Sequence, residues 1–262
     1  MIPPVLSIAG SEASGGAGAQ ADLKTFHELG VFGCVALTCI VSFDPANGWS
    51  HRVLPIPPET TAAQVEAAAG VHGRELDTVK IGMLGSVAMV ERVAGILGSR
   101  AWRNVVVDPV LICKGQEAGE ALDVDNALRE LILPHATIVT PNLFETTVLS
   151  GAREIRDVDG LVAAARAVHE GGVPYVYAKG GVELPGEQAV DVLVSAEGAE
   201  LLSAPKFGRE KVSGAGCTLA AAITAETAKR RSPAEAARAA KRFTTAAVAK
   251  RREGGAPVSC AW

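Results

Sequence analysis

The chain alternates short runs of aliphatic and β-branched residues with longer stretches whose apolar positions recur every three or four residues. Strands are expected over Val5–Ala9, Cys34–Val41, Thr78–Met83, Asn104–Val110, Ala136–Thr140 and Pro174–Lys179. Several of these runs are almost continuously apolar, the pattern of parallel strands covered on both faces. Helices are expected over Ala19–Leu29, Pro58–Ala69, Val87–Leu97, Asn126–Leu133 and Val158–Glu170, and in the Ala-rich stretches after Cys217 and Pro233. Val190–Ser195 and Glu200–Ala204, joined through Glu197-Gly198, read as an added antiparallel hairpin. The alternation predicts an α/β protein: a doubly wound, mostly parallel central sheet with right-handed crossovers and helices on both faces. No repeat, low-complexity tract or linker interrupts residues 1–262, so a single domain is expected.

Composition narrows the setting. At 262 residues and 48% hydrophobic the chain can bury a large core. A net charge of −4 offers no basic footprint for a nucleic-acid partner. No apolar run is long enough to span a membrane, and the first residues carry no basic leader. The five cysteines (Cys34, Cys39, Cys113, Cys217 and Cys260) are odd in number and lack metal-ligand spacing. That argues against a disulfide framework or a zinc site and for a reduced, cytoplasmic setting.

Ligands of doubly wound sheets bind beyond the carboxyl ends of the strands, so the segments after each strand are where chemistry is expected. The first, Gly10 to Asp22, is a glycine-rich loop entering a helix that fits neither a dinucleotide fingerprint nor a Walker motif. Packing alone is one account of it, and Asp22 is open to reading as a surface acid matched to the helix dipole. Asp108 follows the fourth strand, where a buried carboxylate needs a partner or a metal. Asn142 and Glu145 follow the fifth. Their spacing suits a helix cap, and equally a site for phosphate oxygens and Mg²⁺ at a helix N-terminus. Lys179-Gly180-Gly181 places a cation beside two glycines, suited to a nucleotide phosphate tail.

Ser213-Gly214-Ala215-Gly216-Cys217-Thr218 puts a flexible turn directly before a helix, with a thiol on its first turn. Backbone N–H groups converge there and the helix dipole adds positive charge, which makes an anion cradle. A cysteine at a helix N-terminus is expected to ionise at roughly 3.5–7.5 instead of its free value of about 8.5. A cradle and a poised base together are what phosphoryl transfer to an alcohol requires.

In order along the chain, Ile8-Ala9-Gly10-Ser11 with Ser14 to Thr25, Lys80-Ile81-Gly82-Met83-Leu84, Asp108-Pro109-Val110, Thr140 to Glu145, Lys179-Gly180-Gly181 and Gly214 to Thr218 resemble the vitamin-kinase branch of the ribokinase-like superfamily. The match runs from about residue 5 to about residue 245. The resemblance implies a kinase using ATP and Mg²⁺, with Cys217 as catalytic base where most of the superfamily has Asp, and Gly214, Ala215 and Gly216 as the anion hole. It places Asn142, Lys179 and Gly181 at ATP, and Asp108 and Glu145 at the metal. Gly10, Ser11, Ala17, Asp22, Phe43, Met83 and Cys113 fall to the acceptor substrate. Phe43 stands where pyrimidine kinases of this type carry Gln, so the chain is similar to the bacterial pyridoxal kinases of the hydroxymethylpyrimidine-kinase type. In those a second thiol, here Cys113, adds to the aldehyde of pyridoxal. Hydroxymethylpyrimidine or phosphomethylpyrimidine is the alternative acceptor, and a homodimer is the assembly implied. Ser213 departs from the His of many relatives, and the tail Gly254 to Trp262 departs from the family's usual ending.

Overall fold

In the computed structural model, which describes residues 2–111, 118–254 and 259–261, one nine-stranded sheet runs through the chain in the order β3-β2-β1-β4-β5-β6-β7-β8-β9. Strands β1 (Pro4–Glu12), β2 (Phe32–Asp44), β4 (Thr78–Ile81), β5 (Asn104–Val107), β6 (Ile138–Val139) and β7 (Tyr175–Lys179) are parallel. Their side chains alternate between faces with the period of two that a pleated strand imposes. Val105 and Val107 of β5 join one buried cluster, while Val106 joins the other.

Helices α1 (Gly18–Glu28), α7 (Ala215–Ala228) and α8 (Pro233–Ala249) cover one face. Helices α2 (Pro58–His72), α3 (Val87–Ser99), α4 (Ala118–Ala127), α5 (Leu143–Ser150) and α6 (Val158–Glu170) cover the other. Every residue of α7 from Thr218 to Ala228 is buried. Its small side chains (Ala220, Ala221, Ala222, Ala225) let the helix lie close beneath the sheet, between α1 and α8. That depth carries the Cys217 turn into the interior edge of the sheet.

The hairpin is formed by β8 (Gln188–Ser195) and β9 (Gly198–Pro205), which add antiparallel to β7. At the opposite edge, β3 (Ser50–Pro55) pairs antiparallel with a β2 that runs three residues beyond the expected end at Val41. β3 has no buried residue, so no apolar alternation announced it; cross-strand hydrogen bonds alone define it. The expected helix at 126–133 begins earlier, at Ala118, and passes into a π-turn over Leu128–Ile132.

The strand order reverses between β1 and its neighbours β2 and β4, a topological switch point. Backbone bonds step onward past the strand ends. Gly82 N–H reaches Ile8 O (2.8 Å), Asp108 N–H reaches Ile81 O (2.9 Å), Thr140 N–H reaches Val107 O (2.8 Å) and Lys179 N–H reaches Pro141 O (2.8 Å). The loops that carry polar side chains are thereby held shoulder to shoulder along one rim.

Candidate active site

Two charged clusters meet at this rim. In the first, Asp108 Oδ1 accepts from Lys179 Nζ (2.9 Å) and from Thr140 Oγ1 (3.2 Å). Burial alone would raise the Asp108 carboxyl, but Lys179 and Lys80 outweigh it and hold it below the ordinary aspartate range. Lys179 is likewise kept charged, because Asp108 and Glu145 offset the cost of burying its ammonium. The Gly214–Cys217 turn closes on this pair: a β-carbon built on Gly216 would lie 3.1 Å from Lys179 Nζ and 3.9 Å from Asp108 Oδ2.

Asn142 caps α5 and shares a capping box with Glu145. The Glu145 N–H donates to Asn142 Oδ1 (2.9 Å) and the Asn142 N–H to Glu145 Oε2 (2.7 Å). The capping account of the two residues therefore holds. Burial pushes the Glu145 carboxyl up to about 7, with Lys179 acting against it and Asp108 reinforcing it. Since the folded-state value lies above the ordinary 4.5, ionised Glu145 opposes folding, and stability is lost as pH rises from 4.5 through 7. Glu145→Gln keeps a capping-box acceptor and removes that cost. The variant is expected to gain about 1–3 kcal/mol at pH 8, with the gain vanishing below pH 4.5. Denaturant unfolding at the two pH values measures it. A variant less stable than wild type at pH 8 contradicts the assignment.

In the second cluster Asp22 and Lys80 are both wholly buried. Lys80 Nζ donates to both Asp22 oxygens (2.9 and 2.8 Å), and Ser7 Oγ donates to Asp22 Oδ2 (2.5 Å). Asp22 is thus no surface acid at a helix dipole; it anchors a cation. Burial would drive the Lys80 ammonium down, but Asp22, Cys217 and Asp108 prevail and hold it above the usual lysine range. The Lys80 charge in turn favours the Cys217 thiolate.

Cys217 sits on the first turn of α7, where the Gly18 N–H favours its thiolate form. The expectation of a lowered thiol is not met: burial pushes it up to about 11, against the pull of Lys80 and with Asp108 and Asp22 adding to the rise. Helix-end amides were credited with stabilising a thiolate, but desolvation and two nearby carboxylates outweigh them. Gly214 caps the helix at φ +75°, and a β-carbon there would collide with the Gly16 carbonyl. Ala215 N–H donates to Val212 O (3.3 Å). Behind the turn, Ser213 exchanges backbone bonds with Ser259 (2.8 Å) and Ala261 (3.0 Å), so the tail straps the turn from behind.

On the other side of the rim, Gly10 lies against the Cys39 sulfur, with Met83 Cε 3.2 Å from where its β-carbon would be. Thr38 Oγ1 fixes the Met83 carbonyl (2.6 Å). Ser11 Oγ accepts from Gln20 Nε2 (2.7 Å), and the Ala17 N–H donates to Glu12 Oε2 (3.1 Å). Phe43 is partly exposed on the β2–β3 hairpin, edge-on to His51 across the strands at 4.8 Å. Cys113 lies outside the described residues.

Beyond the first cluster a cavity of about 330 Å³ opens, with Asn142, Lys179, Gly181, Ala215 and Gly216 at its polar end. Val182, Phe207, Val212, Leu219 and Val248 make its apolar wall. Beneath it Asp191 accepts from the Gly180 and Gly181 N–H groups (3.0 and 3.2 Å), Tyr177 and Lys241, which fixes the glycine turn.

Thr140, Lys80, Glu12 and Asp191 were not singled out from the sequence. Lys80 had a visible signal, a charge inside an otherwise apolar strand, which burial forces to find a partner. Asp191 looks alike in the hairpin; Thr140 and Glu12 carry no such mark.

The phosphomethylpyrimidine kinase family model matches residues 12–259. Pyridoxine kinase of Bacillus subtilis is 48% identical over 245 residues, covering 93% of this chain and 89% of that protein. A crystal structure of Bacillus subtilis pyridoxal kinase with ADP aligns with a TM-score of 0.93 at 44% identity, covering 100% of this chain and 97% of the other. Pyridoxal kinase from Staphylococcus aureus in complex with AMP-PCP and pyridoxal aligns at 0.92 with 36% identity, covering 100% and 93%. The chain belongs to the phosphomethylpyrimidine kinase family and has the ribokinase-like α/β fold of the pyridoxal kinases.

Proposed function

We propose that the protein is an ATP-dependent kinase that phosphorylates the 5′-hydroxymethyl group of pyridoxal and its B6 relatives. The observation that carries this reading is the convergence of Lys179, Asp108 and Gly216 at the mouth of a nucleotide-sized cavity, with Cys217 one residue further along the helix. The apolar wall takes the adenine, and the polar end takes the phosphates beside Lys179. Gly214, Ala215 and Gly216 receive the transferring group. As the alcohol oxygen bonds to the γ-phosphorus and the β,γ-bridging bond breaks, the hydroxyl proton passes to Cys217 sulfur. The transition state of such a transfer is loose, so positioning and charge neutralisation supply most of the acceleration. Gly10, Ser11, Ala17, Met83 and Phe43 form the acceptor side, with Asp22 acting through Lys80; Cys113 keeps the aldehyde-capturing role that the resemblance implies.

Mg²⁺ suits this site. It keeps several waters and needs only one or two carboxylates besides the phosphates, which Asp108 and Glu145 supply. Among the described residues no set of three His, Cys, Asp or Glu side chains converges to cage a metal unaided. The ion would neutralise charge on the ATP phosphates. A cytoplasmic homodimer is the setting and assembly the family resemblance implies; among the described residues no helix is long and apolar enough to cross a membrane, and the four described cysteines are unpaired.

Phosphomethylpyrimidine and hydroxymethylpyrimidine are the second acceptor class, favoured by the family to which the chain belongs. Phe43 provides ring surface but no hydrogen-bond partner for an aminopyrimidine. ADP release is therefore expected with pyridoxal and ATP, at a kcat/KM several-fold above that with hydroxymethylpyrimidine. A preference for the pyrimidine reverses the assignment of acceptor, and turnover of neither removes the kinase reading.

A further inference from the structure

The carboxylate of Glu12 lies buried at the end of β1, inside the glycine-rich loop. Its Oε1 accepts from Ser14 N–H (2.7 Å), and its Oε2 from Ser14 Oγ (2.6 Å), Gly16 N–H (3.2 Å) and Ala17 N–H (3.1 Å). Backbone N–H groups converging in this way form an anion-binding concavity. Here the anion is the protein's own side chain, so the loop has no room for a phosphate and serves another purpose. Gln20 ties down the root of the loop by accepting from Glu12 N–H (2.9 Å) and donating to Ser11 Oγ (2.7 Å).

What the filled loop touches is the transfer site. The Gly16 carbonyl packs against Gly214, so closely that no β-carbon fits there. Cys260 occupies the space on the other side of Gly16, where a β-carbon would lie 2.9 Å from the Cys260 Cβ. Gly18 N–H is turned toward the Cys217 thiol and favours its ionised form. Gly18 in turn presses on the Gly10 carbonyl at φ +58°. One short loop thus abuts both the cap of the anion hole and the thiol.

We propose that Glu12 is a positioning residue for phosphoryl transfer: as a built-in anion it shapes residues 14–18 so that Gly16 braces Gly214 and Gly18 braces Cys217. The inference rests on reading Gly214–Cys217 as the transfer site. Glu12→Gln is nearly isosteric but turns an acceptor into a donor facing N–H groups, which pushes the loop outward. A misplacement of about 1 Å at a reacting group can cost on the order of 10²-fold. The expected result is a kcat 10–100-fold lower, on the order set by such a misplacement, with KM for ATP within about threefold of wild type.

Ser14→Ala, at an exposed position that does not threaten folding, removes one Glu12 contact and is expected to cost about three- to tenfold in kcat with the same KM pattern. Amide hydrogen exchange supplies a readout independent of catalysis: Glu12→Gln should speed exchange at 14–18 and also at 213–217. A purely structural role would lower active protein without separating kcat from KM, and would leave 213–217 unchanged. Wild-type kcat in both variants, or faster exchange confined to 14–18, overturns the proposal. A wild-type enzyme inactive on either alcohol defeats the functional reading instead, while the exchange result still decides whether the loop braces the turn.

Discussion

Replacing Cys217 by alanine is expected to lower kcat by about 10²–10⁴-fold, the range for losing a general base, while ATP binding stays within about twofold. The separation follows from where the sulfur sits. It belongs to the first turn of α7 and faces Lys80 and Gly18, whereas the nucleotide cavity is lined by its neighbours Ala215 and Gly216. Titration calorimetry with a non-hydrolysable ATP analogue, alongside ADP release, measures both halves. A variant that keeps more than a tenth of wild-type kcat assigns the proton to another group.

The same residue predicts a pH dependence. With its pKa at about 11, Cys217 is protonated near neutrality, and only the thiolate accepts a proton. Activity should therefore climb with pH from 7 toward 9 as the thiolate fraction grows, by up to about tenfold per unit. Cys217→Asp supplies a base already ionised at pH 7 and should flatten that rise. An equal slope in the two proteins would trace the limb to a different group.

The cleft reads as an electrostatic row: Asp22, Lys80, Cys217, Asp108, Lys179 and Glu145 alternate sign around the thiol. Asp22 and Asp108, which steady the two lysines, also disfavour the thiolate, so the site stays strongly polar where phosphate arrives. Ligand phosphates beside Lys179 would enter a row already balanced by Asp108, which argues for a cation arriving with them.

Much of the frame was readable because buried parallel strands write themselves as unbroken apolar runs. Each polar segment after such a run (Asp108, Asn142, Lys179) then falls on the same rim by topology alone. Edge strand β3 escaped notice because it buries nothing and owes its existence to pairing with β2. The thiol's raised pKa was misjudged for a related reason. Local sequence shows the helix N-terminus but not Asp22 and Asp108, which come from segments far away in the chain. Lys80 and Asp22 are 58 positions apart, and no local pattern links them. The strap formed by Ser259 to Ala261 on Ser213 is likewise a long-range pairing that no local pattern announces.

That long-range pair sets the largest expected effect on stability. Asp22→Ala leaves the Lys80 ammonium without its hydrogen-bonded counter-charge, in a place with no access to water. Removing one partner of a buried ion pair costs about 3–5 kcal/mol, because the remaining charge is stranded. The single variant is therefore expected to lose a substantial share of the margin of a typical domain, about 5–15 kcal/mol, and to unfold at markedly lower denaturant. Lys80→Met alone should also be destabilised, since it buries an unpaired carboxylate. Combining Asp22→Ala with Lys80→Met removes both charges, and the double variant is expected to recover about half or more of the lost stability. It should nevertheless stay inactive, because Cys217 then loses the cation that opposes its protonation. Denaturant unfolding of the four proteins closes the cycle. Additive losses would mean that the two charges do not depend on each other, and an active double variant would mean that Lys80 has no part in preparing the thiol.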